Sequence, residues 1–194
     1  MNEFPILQTE HLSLREIQST DIQAVFDSFS QEKVTKYINR GPMQSIQEAE
    51  ELVEVRTSLF KRGIGIRWAI TTINNPEKFI GSCGCYKFDQ SNRSMEIGYD
   101  LLPDYWRQGI MTEAVRAMIN FAYSEAFFFH LNRIEALTYV DHSASIGLLK
   151  KLGFKEEGIR REAGFWENQY HDLQSFSLLR HEWMSSPHSN TNFE

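Results

Sequence analysis

The chain has 194 residues, of which 41% are hydrophobic and 13% aromatic, enough to bury one sizeable core. Its 20 Lys and Arg against 26 Asp and Glu give a net charge of −6, which argues against a binder of nucleic acid or anionic membranes, because such proteins need a basic face. No apolar run is long enough to span a bilayer and the N terminus lacks a signal-peptide pattern, so we expect a cytoplasmic protein without a membrane segment.

The sequence of the first third of the chain predicts one strand and two helices. Residues 11–17, HLSLREI, alternate apolar and polar side chains, as a half-buried strand does. A helix is predicted over residues 22–30, after a run of N-cap candidates. A second helix is predicted over residues 45–63, because Ser45 and Glu48 have capping-box spacing and the segment closes on a basic turn and a glycine.

Three strands are predicted next, over residues 66–73, 79–88 and 95–102. The segments NNPE and DQSNRS separate them, and their turn chemistry favours antiparallel hairpins. The middle strand carries Cys83 and Cys85, whose spacing puts both on one face and differs from the C-x-x-C of redox and zinc sites. We therefore expect a meander that contains two buried, reduced thiols.

Helices and strands alternate in the rest of the chain. Helices are predicted over residues 110–127 and 143–153, and strands over 133–140, 154–162 and 172–183. The predicted order is therefore β-α-α-β-β-β-α-β-α-β-β. This order predicts an α/β (α+β) fold, with a central, mixed and mostly antiparallel sheet flanked by helices.

The chain shows no internal repeat or low-complexity linker, so a single domain is predicted over residues 1–183. Residues 184–194 have little to bury and are expected to be disordered. The six histidines show no metal-ligand spacing, so no metal is predicted. The oligomeric state stays open between monomer and homodimer.

The stretch YWRQGIMTEA, residues 105–114, predicts a seat for an anion. It leaves a predicted strand, turns through Gly109 and at once begins a helix, whose first backbone N–H groups lack partners and point the same way. A nucleotide-hydrolase phosphate loop is excluded because Ile110, not lysine, follows the glycine. A dinucleotide fingerprint is excluded because it needs three spaced glycines.

Three separated blocks of the sequence, between about residues 7 and 183, point to one family. They are TEHLSLRE, MEIGYDLLPDYWRQGIMTEAV, and SASIGLLKKLGFKEEGIRRE followed by DLQSFSLLRHEW. The middle block couples an E-I-G-Y strand, a proline, a tryptophan and G-x-x-T-E-A in order, and LGF with a following E-G is an independent match. The chain resembles the Gcn5-related N-acetyltransferases (GNAT), and more closely their ribosomal-protein N-terminal acetyltransferase branch. The resemblance implies the GNAT fold and acetyl transfer from acetyl-CoA to an amine.

The resemblance also implies that the anion is the pyrophosphate of acetyl-CoA, held by backbone N–H groups and the helix dipole. The implied donors are Arg107, Gln108, Gly109, Ile110, Met111 and Thr112. The usual loop of the superfamily reads Q/R-x-x-G-x-G/A, whereas this chain has Trp106 at the first position and Met111 at the last. The backbone groups of Leu101 and Leu102 would pair with the pantetheine arm as an added strand.

Acetyl transfer needs a neutral amine, so a base must take its proton. The resemblance places Glu96 on the strand that faces the thioester, as a base acting through a water; the alternative is an exposed strand glutamate. Many members have a tyrosine as acid where this chain has Leu149. Ser145, which matches a serine of the branch, can hydrogen-bond the sulfur and the cofactor, or satisfy N–H groups of its own helix. His142 replaces an asparagine of the branch, and either donates to the cofactor or is an ordinary surface or packing residue.

Three functions remain open from the sequence. The first is an acetyl-CoA-dependent N-acetyltransferase that acts on the α-amino group of a protein, by direct attack in a ternary complex. The second keeps the cofactor and takes a small amine, such as a polyamine, metabolite or drug. The third is a non-catalytic acyl-CoA-binding protein of the same fold. Acceptor contacts are expected from the early helices and from Trp166 and Tyr170 in a hairpin, whereas Tyr99 and Tyr105 are expected to pack in the core.

Overall fold

The computed structural model describes residues 3–189. Residues 190–194 of the predicted tail lie outside them. Residues 184–189 continue from the last helix through a turn in which the N–H of Ser189 donates to the Ser186 carbonyl at 3.3 Å.

Eight strands and six helices account for most of these residues, with two short 3-10 turns at Ser19–Asp21 and Pro103–Tyr105. In chain order they are β1 Leu7–Gln8, β2 Leu12–Glu16, α1 Ile22–Phe29, α2 Glu32–Thr35, α3 Ile46–Lys61, β3 Gly65–Thr72, β4 Gly81–Asp89, β5 Ser94–Leu101, α4 Ile110–Tyr123, β6 Arg133–Tyr139, α5 Ser143–Lys151, β7 Lys155–Trp166, β8 Gln169–Leu179 and α6 Arg180–Met184.

The strands form one sheet in the order β1-β2-β3-β4-β5-β6-β8-β7. Neighbouring strands are antiparallel except β5 and β6, which run parallel. The predicted fold class, a mixed and mostly antiparallel sheet flanked by helices, is confirmed.

The parallel pair separates before either strand ends. Its register runs from Ser94 opposite Arg133 to Ile97 opposite Ala136. Beyond that point β5 keeps pairing with β4 as far as Leu101, and β6 keeps pairing with β8. The middle of the sheet therefore opens into a wedge between β5 and β6, and the segments that follow both strands lie at its mouth.

Two apolar clusters hold the helices on opposite faces of the sheet. The larger packs α4, α5 and α6 on one face around fully buried side chains such as Trp68, Met118 and Phe176. The smaller packs α1 and α3 on the other face around Val25 and Phe29. Because successive side chains of a strand face opposite ways, one strand can contribute to both clusters.

The chain end differs from the prediction of a strand through residue 183. β8 ends at Leu179 and α6 follows, because the Glu182 carboxylate accepts the N–H of Leu179 at 3.1 Å and starts a helix there. The Trp183 indole N–H donates to the Asn120 side chain at 2.8 Å, and its ring is buried in the larger cluster. A long-range contact therefore decides the conformation of this segment. The short elements α2 and β1 were not predicted either.

The two cysteines are both free and buried, as predicted from their spacing. Burial raises the pKa of the Cys83 thiol to about 12 and that of Cys85 well above its usual value. Among residues 3–189, no helix is long and apolar enough to cross a membrane.

Two methionines provide a matched test of the larger cluster. Met118 on α4 is fully buried, whereas Met184 on α6 is 57% exposed. Met118→Ala should lower the free energy of unfolding by about 2–5 kcal/mol, since it removes buried methylenes and leaves a cavity. Met184→Ala should change it by less than about 0.5 kcal/mol. Urea unfolding followed by circular dichroism measures both, and equal losses would contradict the packing described here.

Candidate active site

A cleft of about 770 Å³ lies at the mouth of the wedge, and we call it the first cleft. The end of β5 and the loop of residues 102–109 form one wall. The beginning of α5 and the short helix α2 form the others. The lining includes Lys33, Lys36, Tyr37, Tyr99, Leu101, Trp106, Arg107, Gly109, Ile110, Met111, Thr112, His142, Ser145, Gly147 and Lys151.

The loop of residues 102–109 is built to present backbone N–H groups. Its Arg107 and Gly109 both take left-handed conformations, with φ of 60° and 82°. Gly109 is the N-cap of α4, and its carbonyl accepts the N–H of Glu113 at 3.0 Å. The first N–H groups of α4 are left without helical acceptors, and successive amides in such a turn form a concavity suited to an anion. The Trp106 indole N–H donates to the Leu101 carbonyl at 2.7 Å and ties the loop to β5.

The predicted cofactor residues largely come together here. Eight of the ten line the first cleft: Leu101, Arg107, Gly109, Ile110, Met111, Thr112, His142 and Ser145. Gln108 and Leu102 are not among its lining residues. The Gln108 side-chain amide instead donates to the Asp104 carbonyl at 2.7 Å.

The expectation for the Leu102 backbone needs correction. Its N–H donates to the Ile80 carbonyl at 2.9 Å, and its own carbonyl accepts the N–H of Tyr105 at 3.0 Å. Residue pairs of an antiparallel ladder alternate between those that exchange hydrogen bonds and those that do not. Since the backbone N–H of Leu102 points towards the β4 side, the backbone N–H and C=O groups of Leu101 and Tyr99 point the other way, into the wedge. The strand edge open to a ligand therefore consists of the Tyr99 backbone and the Leu101 N–H, since the Leu101 carbonyl already accepts the Trp106 indole N–H.

The first cleft is basic although the chain is acidic overall. Lys33, Lys36, Arg107 and Lys151 line it. Among the described lining residues the one carboxylate is Asp100, which is buried against two arginines. The local potential therefore attracts an anion despite the net charge of −6.

A second cleft of about 650 Å³ adjoins the first, and both share Tyr37, Ile38, Tyr99, Asp100, His142 and Ser145. Its walls come from the middle of β5 and β6, from α3 and from the β7–β8 hairpin. Trp166 lines it, as the sequence suggested, together with Phe165. Tyr170 is not among its lining residues and is 66% exposed. The two clefts meet at the wedge, so a ligand in one can reach a ligand in the other.

Glu96 lies in the middle of β5 and lines the second cleft. Its carboxylate forms an ion pair with the Lys87 ammonium at 2.8 Å, and 13% of its side chain is exposed. Side chains on a strand alternate, so Glu96 and Tyr99 project from opposite faces of β5. One carboxylate and one hydroxyl thus flank the wedge from opposite sides.

Ser145 and Tyr99 form a hydroxyl pair at the junction of the clefts. The two oxygens are 2.8 Å apart, and Ser145 is buried at 7% exposure. Burial raises the pKa of Tyr99 to about 12, although the hydrogen bond with Ser145 opposes the rise, so the phenol stays protonated at neutral pH. Leu149, one turn after Ser145, is fully buried in the larger cluster and offers no hydroxyl. Tyr99 packs against that cluster as expected, but sequence reasoning missed its hydroxyl.

His142 is neutral and held in place. Burial lowers the pKa of its imidazole below the ordinary value. Its ring stacks on Tyr37, with centroids 4.0 Å apart and planes within 9°, and Nδ1 lies 3.4 Å from the Thr138 hydroxyl. These contacts fix the ring between α2 and α5. No group of three metal-ligating side chains comes together within residues 3–189.

Known proteins are similar to this chain in sequence and fold. The family model for the acetyltransferase (GNAT) domain matches residues 11–155. The uncharacterized N-acetyltransferase YoaA of Bacillus subtilis (strain 168) is 34% identical over 177 residues, which cover 91% of this chain and 98% of YoaA. The ribosomal-protein-serine acetyltransferase of Escherichia coli (strain K12) is 26% identical over 137 residues, or 71% of this chain and 73% of that protein.

A solved structure agrees with the fold. The spermidine N-acetyltransferase from Vibrio cholerae, in complex with CoA and spermine, superposes with a TM-score of 0.77 at 19% identity, covering 91% of this chain and all of that chain (100%). At this identity the likeness shows the fold alone. The sequence matches confirm the family resemblance, and they set aside the non-catalytic alternative because the relatives are named as acetyltransferases.

Gly109 tests the anion seat. A Cβ added there would meet no heavy atom within 4 Å, so the constraint is its left-handed backbone rather than crowding within the protein. Gly109→Val should weaken acetyl-CoA binding by about tenfold or more, since a β-branched residue disfavours this φ at a cost of about 1–2 kcal/mol. Gly109→Asn is the matched control, because asparagine tolerates the left-handed region and should bind more tightly than the valine variant. Calorimetric titration gives both affinities, and wild-type affinity in a folded Gly109→Val protein would refute the seat.

Proposed function

Because the chain belongs to the acetyltransferase (GNAT) family and is an acetyl-CoA-dependent N-acetyltransferase, we propose that its acceptor is the α-amino group at the N terminus of a protein or peptide. The charge of the second cleft carries this proposal. Its lining has four basic side chains and two acidic ones: Arg40, Arg56, Arg67 and Lys87 against Glu96 and Asp100. A polyamine carries several positive charges and would be repelled there, whereas an N terminus carries at most one. A relative named as a ribosomal-protein-serine acetyltransferase also supports a protein acceptor.

Acetyl-CoA occupies the first cleft in this proposal. Its pyrophosphate accepts hydrogen bonds from the backbone N–H groups between Arg107 and Thr112, at the positive end of the α4 dipole. The side chains of Lys33, Lys36 and Lys151, on the other walls, add positive charge. The pantetheine arm pairs with the backbone of Tyr99 and the N–H of Leu101 and enters the wedge as an added strand. This route brings the thioester to the junction of the clefts.

Glu96 acts as the base from the second cleft. A water held by its carboxylate takes a proton from the ammonium group, and the neutral amine then attacks the thioester carbonyl. An α-amino group suits this base better than a lysine does, because its pKa is about 7.7–8.0 rather than about 10.4 and a fraction is already neutral at pH 7.

The hydroxyl pair completes the transfer. The C–N bond forms as the C–S bond breaks, and the sulfur leaves with the electron pair as CoA thiolate. Ser145 donates its proton or hydrogen bond to that sulfur, and Tyr99 replenishes it across their 2.8 Å contact. The pair thus takes the role of the tyrosine that many family members carry where this chain has the buried Leu149.

Glu96→Gln tests the base. It removes the proton acceptor and keeps the shape, so kcat should fall by about 10²-fold or more while acetyl-CoA affinity stays as in wild type. Glu135→Gln is a matched control: Glu135 lies directly opposite Glu96 on β6, but it is paired with Arg133 and lines neither cleft. Rates are measured by chromatography of an acetylated peptide. Equal activity of wild type and Glu96→Gln would refute the assignment.

Tyr99→Phe and Ser145→Ala test the hydroxyl pair. Each should lower kcat by about tenfold or more, and the double variant should lose little beyond the worse single variant, since the two groups act as one unit. Tyr170→Phe, at an exposed position of the hairpin, provides the control. Independent, multiplicative losses from the two changes would contradict a relay.

A further inference from the structure

The second cleft is lined by a buried cluster of charged side chains in which positive charges outnumber negative charges by one. The Asp100 carboxylate forms ion pairs with both Arg56, at 3.1 Å, and Arg67. Its Oδ2 also accepts the Ser82 hydroxyl at 2.5 Å, while Oδ1 is buried without a partner. Burial tends to raise the pKa of Asp100, but the two arginines and Ser82 lower it below the ordinary value, so the carboxylate is ionised. Two guanidinium groups therefore share a single carboxylate.

Both arginines remain charged. Burial, aided by the neighbouring Arg67, lowers the pKa of Arg56 to about 9, which still leaves it protonated at neutral pH. Guanidinium groups are positively charged in proteins. The cluster thus carries a net positive charge within the protein, and an uncompensated buried charge is costly unless an anion pairs with it.

Two arginines that line the second cleft have donors without an acceptor among residues 3–189. Arg67 uses Nε on Ser82, at 2.9 Å, and Nη2 on Asp100; within residues 3–189 its Nη1 finds no acceptor. Arg40 pairs one end of its guanidinium with Glu48 at 2.7 Å, while its Nε is buried without a partner. Both residues line the second cleft. Arg56 lines it as well, so three guanidinium groups contribute to the same cleft.

The position of Arg67 relates these donors to the reacting amine. A Cβ built on Gly98 would lie 3.4 Å from Arg67 Nη1, so this nitrogen sits over Gly98. Glu96, Gly98 and Asp100 share one face of β5, because side chains alternate along a strand. Residues two apart on a strand are about 7 Å apart. An anion at Arg67 would therefore lie about one dipeptide length from the base.

From these contacts we infer that the second cleft selects acceptors that carry an anionic group close to the amine, and that Arg67 and Arg40 bind this group. This inference rests on the proposed function. The acceptor is then an N terminus with acidic side chains at its second or third residue. The carboxylate supplies the charge that the cluster lacks, accepts the Arg67 Nη1–H and is attracted by the positive charge of Arg40.

Three decapeptides that differ only at positions two and three test this inference. They begin Ser-Glu-Glu, Ser-Gln-Gln and Ser-Lys-Lys and share the remaining residues. The value of kcat/KM should be about tenfold or more higher for the glutamate peptide than for the glutamine peptide, and lowest for the lysine peptide, as expected for a charge-assisted hydrogen bond. Calorimetric titration of each peptide into the CoA-bound protein should give the same order of affinity.

Variants connect the preference to the two arginines. Arg40→Gln should lower kcat/KM for the glutamate peptide about tenfold and so reduce its advantage over the glutamine peptide. Arg67→Lys keeps a positive charge for Asp100 but loses the planar fork, and should reduce the same advantage in a folded protein, checked by thermal unfolding. Arg62→Gln is the control: Arg62 is exposed, lines neither cleft, and its loss should preserve the wild-type ratio.

The outcomes separate the inference from the proposed function. Equal rates and equal affinities for the glutamate and glutamine peptides would overturn the inference and leave N-terminal acetylation intact. O-phosphoethanolamine and ethanolamine form a second pair, with and without an anionic group. If no peptide were acetylated but O-phosphoethanolamine were preferred over ethanolamine in an Arg40-dependent way, the anion site would stand and the peptide acceptor would fall. No preference for the anionic member of either pair, in rate or in binding, would overturn the inference outright.

Discussion

The separation of β5 from β6 after Ile97 is the constraint on which the site depends. Two parallel strands that stop exchanging hydrogen bonds leave backbone donors and acceptors without partners, which is costly unless a ligand or water satisfies them. The same separation lets the two clefts meet. It also places the Glu96 carboxylate and the Tyr99 hydroxyl on opposite faces of a single strand, so that the proposed base and acid would approach the thioester from opposite sides. The loop after β5 and the helix after β6 contribute because both begin at this opening.

The two clefts are basic, although the chain as a whole is acidic. The chain has a net charge of −6, yet basic side chains predominate in the lining of both clefts. Of the two acidic residues in the cleft linings, Asp100 forms ion pairs with two arginines and Glu96 forms one with Lys87. An acidic outer surface with a basic interior groove would keep the protein soluble while directing anions such as acetyl-CoA into the groove.

Much of the fold was predictable because its signals are local. The spacing of Ser45 and Glu48 at the start of α3, the apolar periodicity of α4 and the turn chemistry between the central strands each depend on a few neighbouring residues, and so does the glycine that begins α4. In the structure the Ser45 side chain makes no cap hydrogen bond, and Glu48 accepts the N–H of Gln44. What could not be predicted depends on distant contacts. The helix α6 forms where Trp183 reaches Asn120 and Glu182 caps the chain, and the cluster around Asp100 draws Arg56, Arg67 and Ser82 from three other elements. Tyr99 was expected to pack in the core because its ring is aromatic. The sequence does not show that its hydroxyl oxygen contacts Ser145.

The burial of the two cysteines has a practical consequence for studying catalysis. They are the only cysteines of the chain, and both thiols are enclosed in the core with pKa values far above neutral. Thiolates, not thiols, react with disulfide and alkylating reagents, so the folded protein contributes almost no nucleophilic sulfur. In a reaction mixture the CoA that is set free supplies the accessible thiol. A chromogenic disulfide reagent therefore follows turnover continuously against a nearly silent background, and a sudden rise in that background reports that the protein has unfolded.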